Sequence, residues 1–73
     1  MQNSSGGESL NIGSNIRNYR ESLSLTQKQL ADRVHVNNTM ICQIERGSKT
    51  PNITLVIAIA DALGCSIEDL IRE

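Results

Sequence analysis

The chain has 73 residues and a formal net charge of −1 at pH 7. That length holds one small domain, whose stability leans on every buried contact or on a partner. Tyr19 is the one aromatic residue, which excludes a base-stacking platform for single-stranded nucleic acid, and the negative sum argues at face value against a polyanion partner.

Other classes fall away quickly. The longest strictly apolar run, Leu55 to Ala60, is far short of the roughly 20 residues that cross a membrane, and no basic-then-apolar leader opens the chain. Cys42 and Cys65 are too few for a disulfide scaffold. With His35 as the one histidine, no ligands stand at zinc spacing. There is no nucleophile–base pair and no phosphate-cradling glycine loop, so an enzyme is not expected. The expectation is a cytoplasmic protein with reduced thiols, no cofactor, no metal and no evident small-molecule ligand.

In chain order, residues 1–9 are polar with adjacent glycines and read as a disordered tail, leaving 10–73 as the domain. From Leu10 on, apolar residues recur at helical spacing, and no stretch alternates with the period of a strand. Ile12, Ile16, Tyr19 and Leu23 form one face of a first helix. Ser24 and Leu25 link it to a second, opened by the capping box Thr26-x-x-Gln29 and buried through Leu30, Ala31 and Val34. His35 ends that helix at a tight turn, since histidine tolerates positive φ better than most residues. Val36 turns inward and Asn37 caps a third helix, with Met40, Ile41 and Ile44 inside and Gly47 as its stop. After a loop through Pro51, Asn52 caps a fourth helix that runs to Leu63 and ends at Gly64. Its core stripe is Ile53, Val56, Ile59, Ala60 and Leu63. Ser66 and Asp69 box a short fifth helix with Ile67, Leu70 and Ile71 inward. The plan is all-α, a compact five-helix bundle.

The second and third helices are short and joined by His35, Val36 and Asn37. That spacing is the helix-turn-helix unit, whose second helix enters the major groove of DNA. The matching stretches are Leu25-Thr26-Gln27 with Leu30-Ala31, then Ile41 and Ile44-Glu45-Arg46-Gly47, Pro51, Ile59-Ala60, Ala62-Leu63-Gly64, and Ser66 with Leu70. In these the sequence resembles the phage-repressor helix-turn-helix family, the Cro and lambda-repressor type also called the xenobiotic-response-element family. The resemblance implies a five-helix DNA-binding domain that binds an operator, mostly as a homodimer. It departs at His35, where glycine is usual, at Asn37, where serine is frequent, and at Asn38, where a longer side chain is common.

The resemblance puts base contacts at Asn38, Thr39 and Gln43. Chemistry agrees for the two amides, which can pair bidentately with adenine. Gln27 stands at the free N–H groups opening the second helix, and the resemblance assigns it a phosphate. Asn37, Arg46, Ser48, Lys49 and Thr50, with Asn52 nearby, are candidate backbone contacts that position without reading sequence. The family pairs the positions of Arg20 and Glu45, and Arg20 is expected to share its remaining donors with a phosphate. Cys42 is a small neutral residue on the same outward face, where oxidation would add bulk and charge. Cys65 falls where the family buries a valine.

The fourth helix is apolar almost all round, which five short helices cannot enclose. A homodimer through Leu55, Ala58, Ala62, Cys65, Ile67 and Ile71 is therefore expected, reading a palindromic operator on double-stranded DNA. The other reading is a protein-interaction module, antitoxin-like or anti-repressor-like, on the same fold. The charge supports DNA. Between Arg17 and Thr50 six cations face three anions, a local +3, while the remainder of the chain sums to −4. A polyanion responds to the local field rather than the total.

Overall fold

A computed structural model describes residues 11–72, so the disordered-tail reading of residues 1–9 lies outside the described residues. Among those described, every regular element is helical: α1 Ile12–Ser22, α2 Gln27–Arg33, α3 Asn38–Arg46, α4 Ile53–Leu63 and α5 Ile67–Ile71.

The starts of α2 to α5 are fixed by side chains read in the sequence. The Thr26 hydroxyl accepts from the Gln29 N–H at 3.0 Å, and the Gln29 side chain accepts from the Thr26 N–H at 2.8 Å. Asn37 Oδ1 accepts from the Met40 N–H at 2.7 Å, and Asn52 Oδ1 accepts from the Leu55 N–H at 2.8 Å. Ser66 and Asp69 close a reciprocal box on α5, both bonds at 3.1 Å. Each satisfies N–H groups that a helix start leaves without partners. Gly47 and Gly64 end α3 and α4 in the left-handed conformation, at φ 84° and 71°.

His35 takes the same left-handed region without glycine's freedom, at φ 61°. A side-chain-bearing residue there carries roughly 1–2 kcal/mol of strain, and glycine at the same place loses roughly 0.5–1 kcal/mol to its freer unfolded chain. His35→Gly is therefore expected to raise unfolding free energy by up to about 1 kcal/mol, read from the urea midpoint at unchanged m-value. A lower midpoint would show that the imidazole makes compensating contacts.

The core takes at least one side chain from each helix. Ile16, Leu30, Ile41, Ile44, Ile59 and Leu70 are fully buried, joined by Ala31, Val34, Val56, Ala60 and Leu63. Ile12, Tyr19, Leu25, Val36, Met40 and Ile67 pack half-buried around them.

Three residues placed inside by periodicity lie outside. Leu23 is 48% exposed, because α1 ends at Ser22 and Ser24 turns the chain at φ 59°. Ile53, read as part of the core stripe, is 64% exposed. It is the first residue of α4, and helical side chains lean toward the N-terminus, so this one projects past the helix end. Ile71, the last residue of α5, is 37% exposed, since a helix of 5 residues turns only one narrow face, that of Ile67 and Leu70, to the core.

Candidate nucleic-acid interface

α3 is a two-faced helix. Ile41 and Ile44 anchor it in the core, and Asn38, Thr39, Cys42 and Gln43 occupy the other side. Asn38 and Thr39 are exposed, while Cys42 and Gln43 are half-buried. The sequence-assigned base readers thus share one outward face at the start and middle of α3.

That face is braced from behind by Glu45. Its carboxylate accepts from Arg20 Nε at 2.6 Å and from Arg20 Nη2 at 3.1 Å, a two-pronged fork. It also accepts from Gln27 Nε2 at 3.1 Å. Arg20 Nη1 donates to the Leu25 carbonyl at 2.6 Å. The side chains of Arg20 and Glu45 are 10% and 3% exposed. Hydrogen bonding to Glu45 raises the Arg20 pKa above its ordinary value, against the opposing effect of burial, with further help from the charges of Glu45 and Glu21. One carboxylate therefore ties α1, α2 and α3 together.

Arg20 is 8% exposed and gives three of its five N–H groups to Glu45 and the Leu25 carbonyl, so bracing α3 is the role these bonds define. The Gln27 amide also points inward, a bond that the sequence reading missed. Ser48 closes α3: its N–H and hydroxyl donate to the Gln43 carbonyl at 3.0 and 3.2 Å. That places it as a helix stop, with its hydroxyl proton already engaged. Asn37, Arg46, Lys49, Thr50 and Asn52 are exposed around the two ends of α3. Arg46, Lys49 and Thr50 edge a groove of about 360 Å³ between the start of α1 and the loop into α4.

Gly13 also shapes this region and was not singled out from the sequence. A Cβ there would overlap the Ile44 carbonyl oxygen and come within 2.8 Å of the Glu45 carbonyl oxygen. The available signal was a glycine inside a helical pattern, which marks close backbone approach.

On the far side, Leu55, Ala58, Ala62, Cys65 and Ile67 are half-buried against the protomer's own core, and Ile71 is exposed. Burial raises the Cys65 thiol above its ordinary pKa, with a smaller push from Asp69, which leaves it a poor nucleophile. The most exposed apolar side chains of α4 are Ile53 and Ile57. At 100° per residue they flank the buried stripe on the side opposite Leu55, Ala58 and Ala62. Asp69 sits below the ordinary aspartate range because the Ser66 N–H and hydroxyl bond to it, with Arg72 adding a smaller effect. Its cap on α5 is therefore lost only in acid, as pH falls through that lowered value.

No described helix is long and apolar enough to cross a membrane, and no cluster of metal-ligating side chains occurs among the described residues.

An all-helical domain with α2 and α3 packed across a short turn defines the helix-turn-helix class. The helix-turn-helix family model matches residues 16–70, and the chain belongs to that family, one of DNA-binding transcriptional regulators and not of enzymes. The chain is 45% identical over 56 residues to an uncharacterized HTH-type transcriptional regulator of Methanothermobacter thermautotrophicus, covering 75% of this chain and 81% of that protein. It is 30% identical over 64 residues to the immunity repressor protein of Bacillus phage phi105, covering 88% of this chain and 44% of the repressor, so it spans less than half the length of that relative. Among solved structures, the P22 c2 repressor in complex with a synthetic operator superposes with a TM-score of 0.80 at 36% identity, over 84% of this chain and 92% of that one.

Proposed function

We propose that the chain is a transcriptional regulator acting in the cytoplasm, reading a palindromic operator on double-stranded DNA as a homodimer with α3 in the major groove. The observation that carries this is the outward face of α3. Asn38, Thr39 and Gln43 share it, while buried Ile41 and Ile44 and the Glu45 network hold the helix in place. Amide side chains on such a face suit adenine, and Thr39 suits a thymine methyl or a phosphate. The relation to the P22 c2 repressor, solved on an operator, supports the same reading.

Asn37, Arg46, Lys49 and Thr50 hold the backbone around that helix, and Gln27, which gives one amide N–H to Glu45, turns its second to a phosphate from the start of α2. Few cations per subunit make non-specific affinity modest, so tight binding requires two subunits on the right sequence. The dimer contact runs along the α4 flank of Leu55, Ala58 and Ala62 and through Cys65, Ile67 and Ile71, setting the two reading helices about 34 Å apart.

The test is selection of bound fragments from a random DNA pool at stated salt. A palindromic consensus is the expected result; failure to enrich any sequence overturns the proposal. Gln43→Ala is expected to weaken binding to that consensus by about 1–3 kcal/mol and to relax one base position in each half-site. Equal weakening on every sequence would make Gln43 a backbone contact. A second reading, a protein-interaction module, is favoured by exposed Ile53 and Ile57. Specific binding with a steep salt dependence decides against it.

A further inference from the structure

We infer that α1 is the strut that sets the separation of the two reading helices, with Asn15 as its positioning residue; this rests on the dimeric operator reading above. Two residues of α1 grip two different helices. Gly13 presses on the end of α3, with the Ile44 and Glu45 carbonyls where its Cβ would be. Asn15 holds the end of α5: Nδ2 donates to the Leu70 carbonyl at 2.8 Å and to the Arg72 carbonyl at 2.6 Å. Carbonyls at a helix end lack partners within the helix, and this amide spends both of its N–H groups on them.

Residues two apart on a helix point about 200° away from each other. Gly13 and Asn15 therefore address opposite sides of α1, one toward α3 and one toward α5. Further along, Arg20 grips α3 a second time through Glu45. In the proposed dimer α3 meets the bases and α5 meets the partner through Ile67 and Ile71. The distance between half-sites is then built from two copies of the offset between α3 and α5, and α1 fixes each copy. Asn15 belongs to none of the assigned DNA contacts, so it acts on spacing and not on base reading.

The test uses the full chain and duplexes carrying two selected half-sites, with the spacer changed one base pair at a time, beside a duplex carrying a single half-site. Wild type is expected to prefer one spacing. Asn15→Ala is expected to keep single half-site affinity while its preference for the best spacing over its neighbours falls about fivefold, the worth of the part-buried bond to the Leu70 carbonyl, since water replaces the exposed one to Arg72. Asn15→Gln keeps both donors on a longer arm and is expected to shift or flatten the optimum. Circular dichroism at the binding temperature establishes folding, and the glutamine variant decides if the alanine variant does not fold. Folded variants that keep the wild-type optimum and its sharpness overturn the strut while the operator reading stands. A wild type with no preferred spacing, or with no specific binding, overturns the dimeric reading and the strut with it.

Discussion

Arg20→Ala is expected to cost about 3 kcal/mol or more of unfolding free energy. The reason is the group left behind. The Glu45 side chain is 3% exposed, and without Arg20 its buried carboxylate keeps only the Gln27 amide. An uncompensated buried charge costs far more than the pair contributed. The Leu25 carbonyl also loses its donor, at the turn that leads into α2. Domains of this size hold roughly 5–15 kcal/mol in total and sit toward the lower end, so this variant loses much of its margin. Arg20→Lys is expected to recover little, because an ammonium cannot reproduce the fork to both carboxylate oxygens. Replacing both partners by apolar residues, Arg20→Met with Glu45→Leu, is expected to cost less than Arg20→Ala alone. Urea unfolding of the three variants checks the order, and a double variant as unstable as Arg20→Ala would show that the pair itself stabilises the fold. The sign with pH is fixed by the raised Arg20 pKa: its contribution is fully present below the ordinary arginine value and is lost only in strong alkali, so the neutral range leaves it untouched.

Five helices, and the N-caps of α2 to α5, were legible because those starts are local chemistry. Thr26 with Gln29, Asn37, Asn52, and Ser66 with Asp69 act on N–H groups three residues away, and the structure makes each of those bonds. The core stripe was legible in helix middles and failed at helix ends. Leu23, Ile53 and Ile71 all follow the periodicity, yet a residue at a helix end has a turn on one side only to hold it against the core. The outward face of α3 followed from the same periodicity, since fixing Ile41 and Ile44 inside fixes Asn38, Thr39 and Gln43 outside. What the sequence hid was contact between distant segments. The Arg20–Glu45 pair came from family resemblance and not from spacing. The Gln27 bond to Glu45 and the Asn15 bonds to α5 join residues 18 and more than 50 positions apart, beyond the reach of any local rule. The charge sum misled for a related reason: the cations lie in the helix-turn-helix half, and a total of −1 cannot show that.

Gly13→Ala is expected to destabilise the domain by about 1–3 kcal/mol, opposite in sign to the usual effect of that substitution. Inside a helix, alanine is normally better than glycine by about 1 kcal/mol because it loses less backbone freedom. Gly13 is the second residue of α1, so part of that advantage applies. Here the added methyl meets backbone and not a flexible side chain: it overlaps the Ile44 carbonyl and approaches the Glu45 carbonyl to 2.8 Å. Neither oxygen can rotate away alone, because both belong to the last turns of α3, whose end is further fixed by Gly47 and by Ser48 bonded to the Gln43 carbonyl. The strain is relieved only by moving α1 and α3 apart as bodies. That movement pulls on the Arg20–Glu45 fork, whose shorter bond is 2.6 Å, so stability and the aim of the reading face fall together. Ser14→Ala is the matched control: the next residue is exposed, and a surface change of this kind stays within about 0.5 kcal/mol. Urea midpoints of the two variants make the comparison. A Gly13→Ala protein as stable as wild type, or more so, would mean that the two helices separate without cost, and the close approach of α1 to α3 would then have no part in holding the recognition helix.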